Sequence, residues 1–227
     1  MKKRNLLLAA LSLILVAPSF AAKVDTLLVN SPSMNKDVQV VVVTPDAALG
    51  KKAVACPVIY LLHGYGGNAK TWIGVKPDLP QIADEKGIIF VCPDGKNSWY
   101  WDSPKDPSYR YETFVSSELV KYIDGHYKTI ADRKGRAITG LSMGGHGAMW
   151  NAIRHKDTFG AGGSTSGGVD IRPFPLNWDM SKQLGEFAYN KKVWDEHTVI
   201  NQIDKIENGD LAIIIYCGDA DCCQNVN

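Results

Sequence analysis

The sequence has no excess of charge of either sign. Its 227 residues include 25 Lys and Arg and 24 Asp and Glu, which gives a formal net charge of +1 at pH 7. Three of the cations, Lys2, Lys3 and Arg4, fall in an N-terminal segment that we expect to be removed, so the remaining chain has a balance of −2. Proteins that bind nucleic acids usually carry a strong basic excess. The charge balance therefore excludes nucleic acid as an expected partner.

Long hydrophobic runs are also scarce. The apolar stretch from Leu6 to Val16 follows the basic residues and precedes Pro18 and a short series of mostly small residues that ends at Ala22. This arrangement is typical of a secretory signal peptide, here cleaved after Ala21. The stretch has about half of the roughly 20 apolar residues that a membrane-spanning helix needs. We therefore predict a signal peptide over residues 1–21, one domain over 22–227 that is secreted or periplasmic, and no stable membrane insertion after cleavage.

Cysteine is rare and odd in number. The five cysteines cannot all pair within one chain, which excludes a complete disulfide framework. Cys56, Cys92 and Cys217 stand in or beside apolar runs, where small core residues are the simplest interpretation. Cys222 and Cys223 lack the spaced pairs and the histidines of a zinc site. We expect neither a metal ion nor another cofactor.

Short apolar runs rich in β-forming residues alternate with helix-like segments along the chain. The runs are 38–43, 58–62, 87–91, 136–139 and 211–215, and the helical segments are 79–86, 113–126 and 145–155. Most runs are continuously apolar, as in strands that are buried on both faces of a parallel sheet. The alternation predicts an α/β three-layer sandwich with a mostly parallel sheet.

Two long loops interrupt this pattern. The first, 96–111, contains Trp99, Tyr100 and Trp101, and the second, 160–178, is rich in Gly, Ser and Pro. In open α/β sheets, ligands bind beyond the carboxyl ends of the strands, where such loops lie. We predict that the three aromatic residues contact the substrate. Packing of an ordered loop into the core is the alternative interpretation.

The motif Gly140-Leu141-Ser142-Met143-Gly144 lies between a predicted strand and a predicted helix. A strand that turns abruptly into a helix holds its serine in a strained conformation, and glycines two residues before and after let the chain pass that closely. The helix N-terminus favours negative charge on a tetrahedral intermediate. A Gly-rich turn without chemistry is the alternative. The context favours Ser142 as a nucleophile.

Two further segments complete the predicted machinery. The loop around His63-Gly64-Tyr65 follows a strand, and such a loop donates one backbone N–H to an oxyanion, while the residue after the nucleophile donates the other. We therefore assign the oxyanion hole to the N–H groups of Tyr65 and Met143. A third strand runs into an acidic turn, where Asp219 and Asp221 are both candidates for the triad acid. Both could equally be ordinary turn residues.

Together these motifs resemble the esterase D family of α/β-hydrolases. That family includes S-formylglutathione hydrolases, feruloyl and acetyl-xylan esterases and mycobacterial mycolyltransferases. The resemblance extends from about Val38 to Asn227 and rests on these segments: Leu62-His63-Gly64, Pro93-Asp94-Gly95, Tyr111-Glu112-Thr113-Phe114, the stretch 136–145 and Ser164-Thr165-Ser166-Gly167. In similar proteins the acid stands three residues after the Gly of a Cys-Gly turn. The resemblance therefore implies that Asp221, rather than Asp219, is the triad acid.

The sequence departs from the family in its histidines. Family members carry the catalytic base after the acid, on a Gly-His turn between a further strand and a closing helix. All five histidines of this sequence precede Asp221. Cys222-Cys223 also replaces an aromatic pair, and Tyr216 stands where similar sequences often carry Asp. We expect a C-terminally truncated domain that lacks the last strand and the closing helix, and that is inactive as given if no other histidine serves.

The expected function is that of a secreted serine carboxylesterase. Its substrates would be small-molecule or polysaccharide esters with short acyl or feruloyl-type groups, processed through an acyl-enzyme on Ser142. Export favours esters met outside the cell, such as the decorations of plant polysaccharides. An acyltransferase with the same acyl-enzyme is one alternative, and a catalytically inactive binding module without the triad histidine is another. The sequence does not define the oligomeric state.

Overall fold

A seven-stranded sheet organises the chain. The computed structural model describes residues 22–221 and residue 226. The strands follow the spatial order β1-β2-β4-β3-β5-β6-β7. Their bounds are β1 Lys23–Ser31, β2 Lys36–Thr44, β3 Val58–Leu62, β4 Ile89–Pro93, β5 Arg136–Leu141, β6 Ala161–Thr165 and β7 Ala212–Tyr216. The predicted signal peptide and the Cys222-Cys223 pair lie outside the described residues, so those interpretations stay predictions.

The sheet is mostly parallel, which confirms the fold class. Strand β3 lies between β4 and β5 and runs parallel to both, and β6 and β7 continue the parallel order. Only β1 and β2 run antiparallel to their neighbours in this sheet. Since parallel strands share a direction, the carboxyl ends of β3, β5, β6 and β7 meet at one edge. That edge carries the candidate site.

Helices cover both faces of this sheet. They are α1 Thr71–Val75, α2 Leu79–Lys86, α3 Tyr111–Thr113, α4 Leu119–His126, α5 Met143–Arg154, α6 Met180–Leu184 and α7 Phe187–Glu196. A π-helical turn, Phe114–Glu118, joins α3 to α4. Along β2, Val40 and Val42 pack into the core beneath α4 and α5, while Val41 and Val43 pack beneath α2. Burial on both faces explains why the strand sequences are continuously apolar.

Two strands were not predicted from the sequence. Strand β1 precedes the first predicted run, and β6 lies inside the segment predicted as a Gly-rich loop, 160–178. The sequence of β6, Ala-Gly-Gly-Ser-Thr, lacks the large residues of a typical buried strand. A Cβ at Gly162 would lie 2.7 Å from the Cβ of Ala152, so the glycine is needed for the close approach of α5.

Within the described part of the chain, no helix has the length and apolar character to cross a bilayer.

A buried carboxylate joins the helices beneath the sheet. Glu112 on α3 accepts hydrogen bonds from Trp150 Nε1 at 2.8 Å and Arg154 Nε at 2.8 Å, and its Oε1 lies 2.9 Å from His155 Nε2. Burial opposes ionisation of Glu112. The hydrogen bonds from His155 and Arg154 outweigh burial and lower the pKa to about 2. The charged form of Glu112 therefore clamps α3 to the C-terminal end of α5.

We predict that Glu112→Gln lowers the free energy of unfolding at pH 7 by about 1–3 kcal/mol, because the charged hydrogen bonds are lost. A carboxyl whose pKa falls on folding stabilises the protein above its unfolded value of 4.5, and this contribution disappears as pH falls toward 2. The difference between the wild type and the variant should therefore shrink over that range. Urea unfolding as a function of pH measures it. The exposed Glu85→Gln on α2 is the matched control, and equal effects of both substitutions would contradict the assignment.

Candidate active site

Ser142 occupies a sharp turn between β5 and α5. Its backbone has φ 55° and ψ −120°, a region that residues with a side chain rarely adopt. The Ser142 N–H donates to the Thr165 carbonyl at 2.9 Å, and the Ser142 carbonyl accepts the His146 N–H at 3.0 Å. The end of β6 and the first turn of α5 therefore hold the strained conformation in place. Such strain is characteristic of functional sites.

Two glycines permit this turn. A Cβ at Gly140 would lie 2.3 Å from the carbonyl group of Gly144 and 2.8 Å from the carbonyl oxygen of Leu62. A Cβ at Gly144 would lie 2.2 Å from the same Leu62 oxygen. Any larger residue would therefore push α5 away from β3 and β5. The two glycines of the motif thus lie where the backbones of β3, β5 and α5 come into contact.

The loop after β3 is held by a buried imidazole. His63 is 1% exposed and its Nδ1 lies 2.7 Å from the carbonyl oxygen of Gly64. Its Nε2 accepts the Gly95 N–H at 2.9 Å, which identifies Nδ1 as the protonated nitrogen and as the donor to Gly64. Both ring nitrogens are thus used to fix two loops. His63 is not available as a catalytic base in this arrangement.

The two predicted oxyanion donors border Ser142. Tyr65 follows the His63-Gly64 turn and lines the same pocket as Ser142. Met143 is the first residue of α5, where backbone N–H groups have no carbonyl partner within the helix. Both positions fit donors that face a developing negative charge. Their role as an oxyanion hole stays a prediction.

The pocket at Ser142 is narrow and mainly apolar. Its volume is about 20 Å³, and it is open to solvent at Ser142, which is itself exposed. Its lining consists of Tyr65, Trp99, Ser142, Gly168, Asp170, Ile171, Phe174 and Trp178. Ile171, Phe174 and Trp178 were not among the predicted site residues, although they belong to the loop expected at the ligand-binding edge. Their aromatic and aliphatic character within a Pro-rich stretch was the signal that could have identified them.

The aromatic triplet divides between the pocket and the core. Trp99 is 5% exposed and lines the pocket, whereas Tyr100 and Trp101 are fully buried and lie outside its lining. Tyr100 donates its hydroxyl to the His63 carbonyl at 3.2 Å, and Trp101 donates Nε1–H to His146 Nε2 at 3.1 Å. Of the three residues predicted to contact the substrate, Trp99 alone lines the pocket. Core packing accounts for Tyr100 and Trp101.

None of the five histidines lines the Ser142 pocket. His146 is fully buried on α5, and its Nδ1–H donates to the Gly168 carbonyl at 2.9 Å. Burial lowers the pKa of His146 to about 4, so the imidazole is neutral at pH 7. His155 is bound to Glu112, and His126 stacks on Tyr122 with ring centroids 4.0 Å apart.

His197 also lies outside the pocket. Its ring stacks on Trp150 with centroids 5.5 Å apart, and its Nδ1 lies 2.7 Å from the Val193 carbonyl oxygen. Burial lowers the pKa of this imidazole from its usual value.

Within the described residues, no group of three or more His, Cys, Asp or Glu is arranged to hold a metal ion.

Asp221 lies at the same edge of the sheet as Ser142. Strand β7 pairs in parallel with β6, with Tyr216 opposite Thr165, and Thr165 in turn accepts the Ser142 N–H. The turn after β7 ends at Asp221, whose N–H donates to the Gly218 carbonyl at 3.1 Å. Parallel pairing thus brings Ser142 and Asp221 to one edge although 78 residues separate them in the sequence. The role of Asp221 as the triad acid stays a prediction.

Similarity to known proteins assigns the chain to a family. The Esterase family model matches residues 31–224. The chain belongs to this family. Esterase Rv1288 of Mycobacterium tuberculosis is 28% identical over 169 residues, which make up 67% of this chain and 36% of that protein. The mycolyltransferase Ag85B of Mycolicibacterium smegmatis is 28% identical over 86% of this chain and 64% of its own length.

Solved structures support the same assignment. A ferulic acid esterase superposes with a TM-score of 0.72 and is 29% identical, over 88% of this chain and 80% of that one. The serine hydrolase FphF of Staphylococcus aureus superposes with a TM-score of 0.78 over 91% of this chain and 83% of that one, at 20% identity. The second likeness shows the fold alone. The chain spans 36–46% of the length of the first curated relatives that it matches.

We predict that Gly144→Ala lowers the free energy of unfolding by about 3 kcal/mol, since the added methyl group would overlap the rigid backbone at Leu62. The matched control is Gly125→Ala on α4, where a Cβ meets nothing within 4 Å. Alanine is the better helix former, so the control should be neutral or more stable by about 0.5–1 kcal/mol. Equilibrium urea unfolding measures both. A Gly144→Ala protein as stable as the control would show that the close contact is not required.

Proposed function

We propose that this esterase-family protein is a serine-dependent carboxylic ester hydrolase with Ser142 as its nucleophile. The observation that carries the proposal is the strained Ser142 turn, placed at the N-terminus of α5 and open to a pocket. A structural serine has no need of a backbone conformation that costs free energy. The family membership of the chain supports the same chemistry.

The proposed reaction proceeds through an acyl-enzyme. Ser142 Oγ attacks the ester carbonyl carbon, and the N–H groups of Tyr65 and Met143 bind the oxyanion of the tetrahedral intermediate. Collapse of this intermediate expels the alcohol and leaves the acyl group on Ser142, and water then releases the acid. Loss of one oxyanion donor typically costs about 3–4 kcal/mol of transition-state stabilisation.

The proton of Ser142 passes in this scheme to an imidazole oriented by Asp221, and the imidazole returns it to the oxygen of the departing alcohol. Since no histidine of the sequence lines the pocket, the base has to reach Ser142 from outside the lining residues. This requirement affects the rate of acylation and leaves the identity of the nucleophile unchanged. Imidazole added to the buffer can take the place of this base.

The proposed substrates are esters with short acyl or feruloyl-type groups, including those attached to polysaccharides. Four of the lining residues, Tyr65, Trp99, Phe174 and Trp178, are aromatic and suit a flat apolar acyl group. The similarity to a ferulic acid esterase supports this substrate class. The signal peptide predicted over residues 1–21 supports a secreted or periplasmic location, where such esters occur.

Acyl transfer to an alcohol is a second candidate function. The observation that favours it is the relationship to Ag85B, a mycolyltransferase, over 86% of this chain. Both reactions share the acyl-enzyme and differ only in the acceptor. Product analysis in the presence of a sugar alcohol separates them, because a transferase forms the new ester while a hydrolase forms the free acid.

We predict that a fluorophosphonate labels Ser142 covalently and that imidazole in the buffer accelerates the labelling. Ser142→Ala should abolish the adduct, whereas Ser117→Ala, in the π-helical turn between α3 and α4 and outside the Ser142 pocket, should leave it unchanged. Mass spectrometry of the intact protein and its peptides locates the adduct. If Ser142 stays unmodified even with imidazole present, the hydrolase proposal is refuted and the inactive binding module becomes the better interpretation.

A further inference from the structure

Asp170 is the one acidic residue among the described residues that line the pocket at Ser142. The other lining residues, apart from the serine, are Gly168, Ile171 and four aromatic residues. A carboxylate beside apolar groups loses hydration, which costs free energy unless hydrogen-bond partners replace the water. The partners that Asp170 has, and those that it still lacks, therefore indicate what this position can bind.

Arg172 supplies most of the partners of Asp170. Its Nε and its backbone N–H donate to Asp170 Oδ1 at 2.8 and 3.0 Å, and its Nη2 donates to Oδ2 at 2.7 Å. These side-chain hydrogen bonds outweigh partial burial and hold the pKa of Asp170 below its usual value. The carboxylate is therefore ionised at neutral pH and can only accept hydrogen bonds.

The surroundings of Asp170 hold it in one position. The N–H groups of Val169 and Asp170 donate to the Val226 carbonyl at 2.8 and 3.3 Å. Arg172 Nη1 also donates to Asp195 Oδ1 on α7 at 3.3 Å, which fixes the guanidinium from its other side. A two-point guanidinium–carboxylate pair sets orientation as well as distance. The carboxylate of Asp170 is therefore placed before any ligand arrives.

One acceptor position of this carboxylate stays open. The two oxygens of a carboxylate can together accept about four hydrogen bonds. Oδ1 accepts two and Oδ2 accepts one, all from Arg172, and no other group in the described part of the chain donates to Oδ2. The Asp170 side chain is 24% exposed, so a ligand can approach it. The open position is a charged acceptor that lacks a donor.

The aromatic residues of the pocket restrict the kind of donor that fits. The rings of Trp99 and Trp178 lie with centroids 6.1 Å apart, and those of Phe174 and Trp178 with centroids 5.3 Å apart. Such rings favour contact with another flat ring. A ligand that satisfies both the rings and the Asp170 acceptor is an aromatic group with a hydroxyl donor, which is a phenol.

We propose that Asp170 is a specificity-determining residue whose carboxylate accepts a hydrogen bond from the phenolic hydroxyl of an aromatic acyl group bound at Ser142. This inference rests on the proposed function and narrows its feruloyl-type substrates to those with a free phenol. A site that accepts a hydrogen bond from a substrate hydroxyl discriminates strongly against an analogue without it, because the acceptor is then left without a partner.

The first experiment compares two esters that differ only in this hydroxyl. Methyl ferulate carries the phenol, and methyl 3-methoxycinnamate lacks it. Calorimetric titration of the full chain in a Ser142→Ala background measures binding without turnover. Methyl ferulate should bind tighter on the order of tenfold to a hundredfold, as expected for one hydrogen bond to a charged group. Equal affinities of the two esters would overturn the proposal without any further variant.

Substitutions then assign this preference to Asp170. Asp170→Ala should abolish the preference for methyl ferulate, and Asp170→Asn, which keeps an uncharged acceptor oxygen, should give an intermediate ratio. The matched control is Asp195→Asn, because Asp195 also binds Arg172 but does not line the pocket. It should retain the full preference. A merely structural role of Asp170 would weaken both esters alike and leave their affinity ratio unchanged, which would contradict the assignment.

A sugar hydroxyl on the alcohol side of the ester is another source of the same donor. The arabinose ester of 3-methoxycinnamic acid carries sugar hydroxyls and no phenol, so it separates the two sources. Asp170→Ala should weaken methyl ferulate and leave the affinity for the arabinose ester unchanged. If the substitution weakens only the arabinose ester, the donor belongs to the sugar and the assignment to the phenol is wrong.

These binding measurements are independent of the reactivity of Ser142. If the phenol is preferred and the preference depends on Asp170, but no fluorophosphonate labels Ser142, the proposed function fails and the phenol site stands. If Ser142 is labelled and the two methyl esters bind equally, the role of Asp170 is wrong and the proposed hydrolase stands.

Discussion

The close contact of β3, β5 and α5 is the constraint on which the site depends. The carbonyl oxygen of Leu62 lies where a side chain at Gly140 or at Gly144 would have to be. Because both positions are glycine, the helix begins directly at the end of the strand and Ser142 is forced into its strained conformation. The same contact brings the Tyr65 loop beside the serine. The position of Ser142 and the placement of the Tyr65 loop therefore share one steric cause.

Buried imidazoles hold the surroundings of this contact. His63 links the loop after β3 to the loop after β4, and His146 links the Trp101 indole to the Gly168 carbonyl. Each ring has one donating and one accepting nitrogen, which suits a pair of opposite backbone or indole groups. Burial keeps His146 uncharged. In this protein these histidines hold the loops around the site and do not line the pocket at Ser142.

Strands whose cause is local in the sequence were predicted, whereas features that depend on contacts with distant residues were not. Runs such as 58–62 and 136–139 were predicted as strands, because burial on both faces selects a continuous apolar sequence, and both are strands. Strand β6 was missed, since the close approach of α5 selects glycine at Gly162 and removes the apolar pattern. Trp99 and Trp101 look equivalent in sequence, but one lines the pocket and the other lies in the core. That difference arises from contacts with residues far away in the chain.

The sequence by itself determined the fold class, the strand–helix context of Ser142 and the family, because each depends on residue type at short spacing. Only the tertiary structure decided that Ile171, Phe174 and Trp178 line the pocket and that the Tyr65 hydroxyl meets Asp179, 114 positions further along the chain. It also decided that none of the five histidines lines the pocket at Ser142. Contacts of this kind depend on which strand ends become neighbours in the sheet. No local pattern of residues encodes that order.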